Sequence, residues 1–363
     1  QGFTTASFIQ NAHAGQTAGL HQGFSFLFND AKLGSRPYGI YGAEELENWL
    51  EENFDRNFFL YLHLLDPHYP YLPPKHFIRE IKEKLVNMEG HPVKKMAKYD
   101  PDWLETPTVE SRNFIYNMEI YHNDLYFNKL LQKIDELNIK DNTIIIFIAD
   151  HGEFLGEHGM WGHKRPGYYQ VLHVPIIMAG YPENFEGGKI RETVQLLDIM
   201  PTILEWADID TRELLMQGRS LRPLIFKDKQ SYDFDKRLCL SEEFRFKHRS
   251  DQNADGSIFY RDWHVLNSSG IEDGFSRDIG SINNKLPSLL KCRVFNLAED
   301  TFEKFSRPWF LLDGYFQYKI NAFMQELKTH NLSIQKAMYR DEAQPSPIDS
   351  DTVDKLRGLG YLK

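Results

Sequence analysis

Two stretches of the chain are apolar almost without interruption, and each ends in an aspartate and a histidine. Residues 143–149 (T-I-I-I-F-I-A) run into Asp150, His151 and Gly152, and residues 57–65 (N-F-F-L-Y-L-H-L-L) deliver Asp66, Pro67 and His68. A run rich in β-branched residues with no polar alternation predicts a strand buried on both faces, inside a parallel sheet covered by helices. Such sheets gather ligand and catalytic groups at the carboxyl ends of their strands. A carboxylate beside an imidazole at that edge is a ligand pair for a divalent cation. A lone Asp-His would be better read as an acidic turn after a core strand, but Gly152 and the nearby Lys164 tip the balance toward a site. Proline cannot continue a central strand, so the second run stops at His68 and a rigid loop follows through Tyr69-Pro70-Tyr71-Leu72-Pro73-Pro74. His63, inside that run, reads as a hydrogen-bonded core histidine.

Between the strands the period changes. Residues 43–54 place Leu46, Trp49, Leu50 and Phe54 at helical spacing with acids opposite. Residues 111–137 form a longer helical stretch, with Ile115, Met118, Tyr121 and Leu125 on its early apolar face, and their charges read as a solvated face. This alternation of helix and apolar strand predicts an α/β sheet. Residues 80–102 are charged and weakly patterned, as a surface insertion at a cleft rim would be. Residues 197–207 are again helical, with Asp198 and Thr202 read as packing or capping groups. The predicted division is a main α/β domain over 1–228 and a smaller unit over 229–363. In the latter, strand-like pieces at 237–241 and 263–266 precede a helical stretch at 310–329 and a tail carrying Pro345 and Pro347.

Composition narrows the partners. A chain of 363 residues, 41% hydrophobic and 14% aromatic, can bury a large core. Its net charge of -10 argues against a nucleic acid partner, since phosphate backbones are held by clustered Lys and Arg. The two cysteines, Cys239 and Cys292, provide neither a disulfide framework nor a thiolate metal site. No apolar stretch approaches the roughly 20 residues of a transmembrane helix. A homo-oligomer is compatible with all of this and required by none of it.

A set of motifs then resembles a known family. D-H-G-E-F-L-G-E-H-G-M-W-G-H-K (150–164), H-V-P-I-I-M-A-G (173–180), L-L-D-I-M-P-T-I-L-E-W-A-D-I (196–209) and G-R-S-L-R-P-L (218–224) look like the sulfatases of the alkaline phosphatase superfamily. V-F-N-L-A-E-D-T-F-E-K (294–304) is similar to the family's Y-D-L-x-x-D-P-x-E segment, and L-R-G-L-G-Y-L (356–362) to its close. The resemblance implies an alkaline-phosphatase-like fold, a mostly parallel sheet flanked by helices, with a smaller C-terminal α+β subdomain. It also implies a formylglycine nucleophile made from C/S-x-P-x-R, and neither cysteine has Pro and Arg at that spacing. Residue 1 is a glutamine, so the expectation is a chain that forms the carboxyl-terminal three-quarters of a sulfatase-like protein, inactive without its nucleophile. Localisation, cytoplasmic or exported, stays open.

Onto matching positions the resemblance carries Asp150 and His151 as metal ligands. The carboxylate suits Ca2+, the favoured ion, or Mg2+, and the imidazole also admits Mn2+ or Zn2+. Lys164 matches the lysine that contacts the sulfate oxygens and leaving group, a register supported by Tyr169-Gln170 after it. His68 matches the histidine that donates a proton or hydrogen bond to the ester oxygen, a task suited to imidazole. Asn11-Ala12-His13 is a weak echo of the family's K-x-H, which makes His13 a third catalytic candidate. His158 and His163 read as cleft-lining and His173 as a strand cap. Three functions compete: hydrolysis of a small-molecule or carbohydrate sulfate ester, the favoured one; a phosphodiesterase, phosphonate monoester hydrolase or phosphotransferase of the same superfamily; and a non-catalytic binding protein.

Overall fold

The computed structural model describes residues 2–11, 19, 21–29, 43–69, 71, 73–86, 109–163, 167–180, 187–212, 214, 216–226, 234, 237, 239–243, 255–260, 262–267 and 293–304. These form two compact units. One is built from described residues within 1–145 together with Gly180, and the other from those within 146–179 and 187–304.

In the first unit β1 (Thr4–Ile9) is the centre of a three-stranded parallel sheet between β2 (Phe26–Asn29) and β3 (Phe58–His63). The run predicted at 57–65 is thus β3, a parallel strand. His63 is half-buried and bonded through Nδ1 to the Tyr61 hydroxyl at 2.9 Å, hydrogen-bonded as expected but less buried. Helix α1 (Ala43–Asn53) turns Leu46, Trp49 and Leu50 onto Ala6 and Phe8 of β1, while Phe54 remains exposed. Helix α2 (Lys75–Val86) buries Phe77, Ile78 and Ile81, so the first part of the stretch expected to be a surface insertion is an amphipathic helix; residues 87–102 lie outside the described ones.

Helix α3 (Val109–Glu136) corrects the sequence reading of its faces. Ile115 and Met118 are buried, but Tyr121 and Leu125 are exposed, and the inner face continues instead through Glu119 and His122. From Ser111 the buried positions follow at 114, 115, 118, 119 and 122, the stripe a 3.6-residue period demands. Three of its members, Ser111, Glu119 and His122, are polar, so hydrophobicity alone pointed to the wrong neighbours.

Strand β4 (Ile145–Ile148), which lies in the second unit from Ile146 onward, pairs with β7 (Ile176–Ala179). The strand predicted at 143–149 is present, yet its burial on both faces is not: Phe147 is 41% exposed and Ile177 of β7 is 60% exposed. The buried side packs Ile146, Ile176 and Met178 on Ile199 of helix α5 (Ile199–Trp206) and Leu221 beside helix α6 (Arg222–Ile225). A four-stranded antiparallel sheet follows, in the order β11 (Arg293–Asn296), β10 (Trp263–Asn267), β9 (Asp255–Tyr260) and β8 (Cys239–Glu243). The pieces predicted at 237–241 and 263–266 fall in β8 and β10. The helical stretch expected at 310–329 and the closing L-R-G-L-G-Y-L lie outside the described residues. Among the described residues no helix is long and apolar enough to cross a membrane.

Candidate functional site

In the first unit the loop after β3 carries His68. The Asp66–Pro67 bond is cis, and the Asn123 side chain of α3 donates to the Asp66 carbonyl. The His68 amide donates to Glu119 Oε2 at 3.3 Å, and its ring Nδ1 lies 2.6 Å from the Tyr69 carbonyl. A carbonyl only accepts, so the Nδ1 atom carries the hydrogen and the neutral ring keeps its lone pair on Nε2. His68 is 6% exposed and Glu119 1%. The acids of α3 read from sequence as a solvated face therefore include one that seats the loop of a candidate catalytic histidine.

In the second unit β4 delivers Asp150 and His151, as the sequence predicts. Their side chains approach to 3.9 Å, with Asp150 Oδ1 accepting the His151 amide at 2.9 Å and His151 Nδ1 lying 3.0 Å from the Gly152 carbonyl. Asp150 is exposed. Gly152 is required by contact: its amide donates to the Val171 carbonyl at 2.7 Å, and a Cβ there would stand 2.2 Å from the Gln170 carbonyl oxygen. The chain then forms a tight hairpin, β5 (Phe154–Leu155) against β6 (Trp161–Gly162), paired Phe154 to Gly162 and Leu155 to Trp161. Continued by one residue, that register sets Glu153 opposite His163. Accordingly a Glu153 carboxylate oxygen and a His163 ring nitrogen lie within 4.8 Å of each other, and the His163 ring packs 4.3 Å from that of His151.

Glu153 and His163 thus offer ligand atoms close enough to share one divalent cation, and the Asp150–His151 pair lies on the neighbouring turn. Sequence reasoning named Asp150, His151 and His163 here but missed Glu153. Two glycines at positive φ, Gly156 and Gly159, flank the hairpin turn and were the available signal. His158 sits at the tip at φ 54°, exposed, its ring 4.8 Å from Tyr168. His173 does not cap a strand. It closes the short helix α4 (Tyr169–Leu172), donating to the Tyr169 carbonyl and stacking on its ring at 4.6 Å. Lys164 and His13 lie outside the described residues.

Asp198 and Thr202 are structural, as their position in a helix predicts. Fully buried Asp198 accepts the amides of Gln195 and Arg219, each at 2.8 Å, and both terminal nitrogens of Arg237, at 2.6 and 2.8 Å. Burial opposes the Arg237 charge, but the Asp198 carboxylate outweighs it and holds the guanidinium pKa above its ordinary value. Thr202 accepts the Leu221 amide and donates to the Asp198 carbonyl. Gly218 fits beneath: a Cβ there would meet the Leu197 carbonyl oxygen at 1.8 Å. The G-R-S-L and L-L-D-I-M-P-T motifs are therefore two sides of one clamp.

The Sulfatase family profile matches residues 42–209. The multifunctional alkaline phosphatase superfamily protein PehA of Trinickia caryophylli is 38% identical over 116 residues, 31% of this chain and 21% of that protein. An arylsulfatase of Clostridium perfringens is 29% identical over 223 residues, 53% of this chain and 44% of its own length. Among solved structures, one determined with its substrate D-glucosamine-2-N,6-O-disulfate superposes with a TM-score of 0.58 at 16% identity, covering 96% of this chain and 82% of that one. The solved structures define the fold as an alkaline-phosphatase-like α/β one. Over residues 42–209 the chain resembles the sulfatase family, a metal-dependent one. It spans less than half the length of these two curated relatives.

Proposed function

We propose that this protein takes part in metal-dependent hydrolysis of a sulfate ester, with a sulfated carbohydrate as the substrate class. The observation that supports this most is the Asp150-His151-Gly152 turn at the end of β4, with Glu153 and His163 folded back beside it. The sulfated glucosamine held by the structural relative supports the choice of substrate class. Asp150 and His151, with Glu153 and His163 adjacent, would hold the cation, and Ca2+ is the ion best matched to two carboxylates. Bound there, the cation supplies neutralisation of the sulfuryl oxygens.

The remaining chemistry is assigned to side chains. Protonated at Nε2, His68 donates to the departing ester oxygen, and its Nδ1–H bond to Tyr69 keeps the ring oriented for that. The Lys164 ammonium is assigned to the sulfate oxygens and the growing charge on the leaving group, and His13 to a further contact with the ester. The nucleophile is the formylglycine of a C/S-x-P-x-R segment, a pattern that neither Cys239 nor Cys292 satisfies.

The test is kcat/KM of the full-length protein for aryl sulfates of graded phenol acidity, with matched phosphonate monoesters alongside. Sulfates should be preferred. Asp150→Asn should depress all substrates together, whereas Lys164→Ala and His68→Ala should slow poor leaving groups more than good ones, since only the former depend on help at the leaving oxygen. Equal losses across the series would remove the leaving-group roles. A preference for phosphonates would transfer the protein to the phosphonate monoester hydrolase reading.

A further inference from the structure

A buried pair in the antiparallel sheet reaches the Asp-His-Gly turn through a short chain of contacts. His264, at 0% exposure in β10, is stacked on Phe259 at 4.2 Å with rings 2° from parallel and lies 5.9 Å from Phe295. Its Nδ1 bonds Glu303 Oε1, and its Nε2 is buried with no hydrogen-bond partner among the described residues. Glu303 is itself buried and holds a left-handed backbone, φ 53°, an uncommon conformation for a glutamate. A buried carboxylate, an orphaned ring nitrogen and a strained backbone each cost free energy that a plain apolar core would avoid.

Glu303 Oε2 accepts the amide of Tyr169 at 3.0 Å, across 134 residues. Tyr169 is the first residue of α4, and the residue before it, Tyr168, provides no side-chain cap. Glu303 therefore does, from the far sheet, what a Ser or Asp at the helix start does locally: it accepts an otherwise orphaned N–H. The Ser257 hydroxyl, donating to the Gly167 carbonyl at 2.6 Å, ties down the approach to the same turn of chain. Helix α4 in turn holds the site loop, because the Val171 carbonyl accepts the Gly152 amide and the Gln170 carbonyl rests against Gly152.

We propose that Glu303, oriented by His264, is a positioning residue that fixes the Asp150–Gly152 turn by capping α4. The metal part of the test rests on the function proposed above; the structural part does not. In the full chain, amide hydrogen exchange around Gly152 and Mn2+ affinity are measured together, with exchange in β1 and β9 as internal references. Glu303→Ala should speed exchange at Gly152 and weaken Mn2+ binding by about tenfold, the usual scale for losing a group behind metal ligands. Exchange in β1 should not change. Glu303→Gln keeps an acceptor for the Tyr169 amide and should restore most of both. Unchanged Gly152 exchange and Mn2+ affinity in Glu303→Ala would overturn the proposal.

Should Glu303→Ala expose β9 as well, Glu303→Gln decides. With β9 protected, slow exchange at Gly152 supports the capping role, and exchange as fast as in the alanine variant sinks it. A wild-type chain that binds no Mn2+ would count against the metal site alone, and Gly152 exchange would still decide whether Glu303 and the turn are coupled.

Discussion

Gly152 illustrates how much a missing side chain can carry. Two neighbours, the carbonyls of Gln170 and Val171, occupy the space and the hydrogen bond around it, so any Cβ must push backbone rather than a flexible side-chain end. Gly152→Ala should cost about 1–3 kcal/mol of stability, the range for forced overpacking. It should also weaken divalent-cation binding, because the turn that presents Asp150 and His151 is the part that yields. Thermal denaturation and calorimetric titration with Ca2+ check both, and a fully stable, fully binding variant would refute the contact. At this scale the sequence made the placement of His68, Asp150 and His151 just beyond apolar strands readable. It was silent on Glu153 and Glu119, because an acid beside a turn or on a charged helix looks solvated until the fold turns it inward.

Helix α3 shows the same limit for a whole element. Its existence and extent are plain in the 3.6-residue period, but its inner face holds His122 between Phe77, 4.6 Å away, and Tyr126, 5.0 Å away. Burial first, then the charges of His76 and Lys129, lowers the pKa of His122 below the ordinary 6.5. The folded state thus binds fewer protons here than the unfolded chain. The contribution to stability is complete above pH 6.5 and is lost as pH falls from there toward the lower folded-state value. Urea midpoints at about pH 7.5 and about pH 5.5 should show this decline, and His122→Phe should flatten it. An identical decline in that variant would assign the pH dependence to other groups.

For the molecule as a whole, the order of elements and the α/β class were legible, since apolar strands and amphipathic helices announce themselves by period. How strands associate was less so. Among the described residues β1–β3 and β4–β7 are separate sheets, and Phe147 and Ile177 are open where a doubly covered strand was expected. Periodicity reports that a strand is apolar but not what covers each face. Long-range polar ties were beyond it altogether, and Asp198 is the chief of them. Asp198→Ala leaves Arg237 buried without its carboxylate and should destabilise the second unit by about 3–5 kcal/mol. Hydrogen exchange should register the loss in β4 and β7 but not in β1 and β3, and a uniform loss, or none, would contradict the clamp.

That clamp also bears on synthesis. A ribosome adds roughly 5–20 residues each second, so Asp198 leaves the tunnel seconds ahead of Arg237. Until the arginine arrives, burying the carboxylate would strand a charge away from water, so the nascent segment must keep Asp198 hydrated and α5 undocked. On that reasoning, closure of this part of the core should wait until the chain has been made as far as β8.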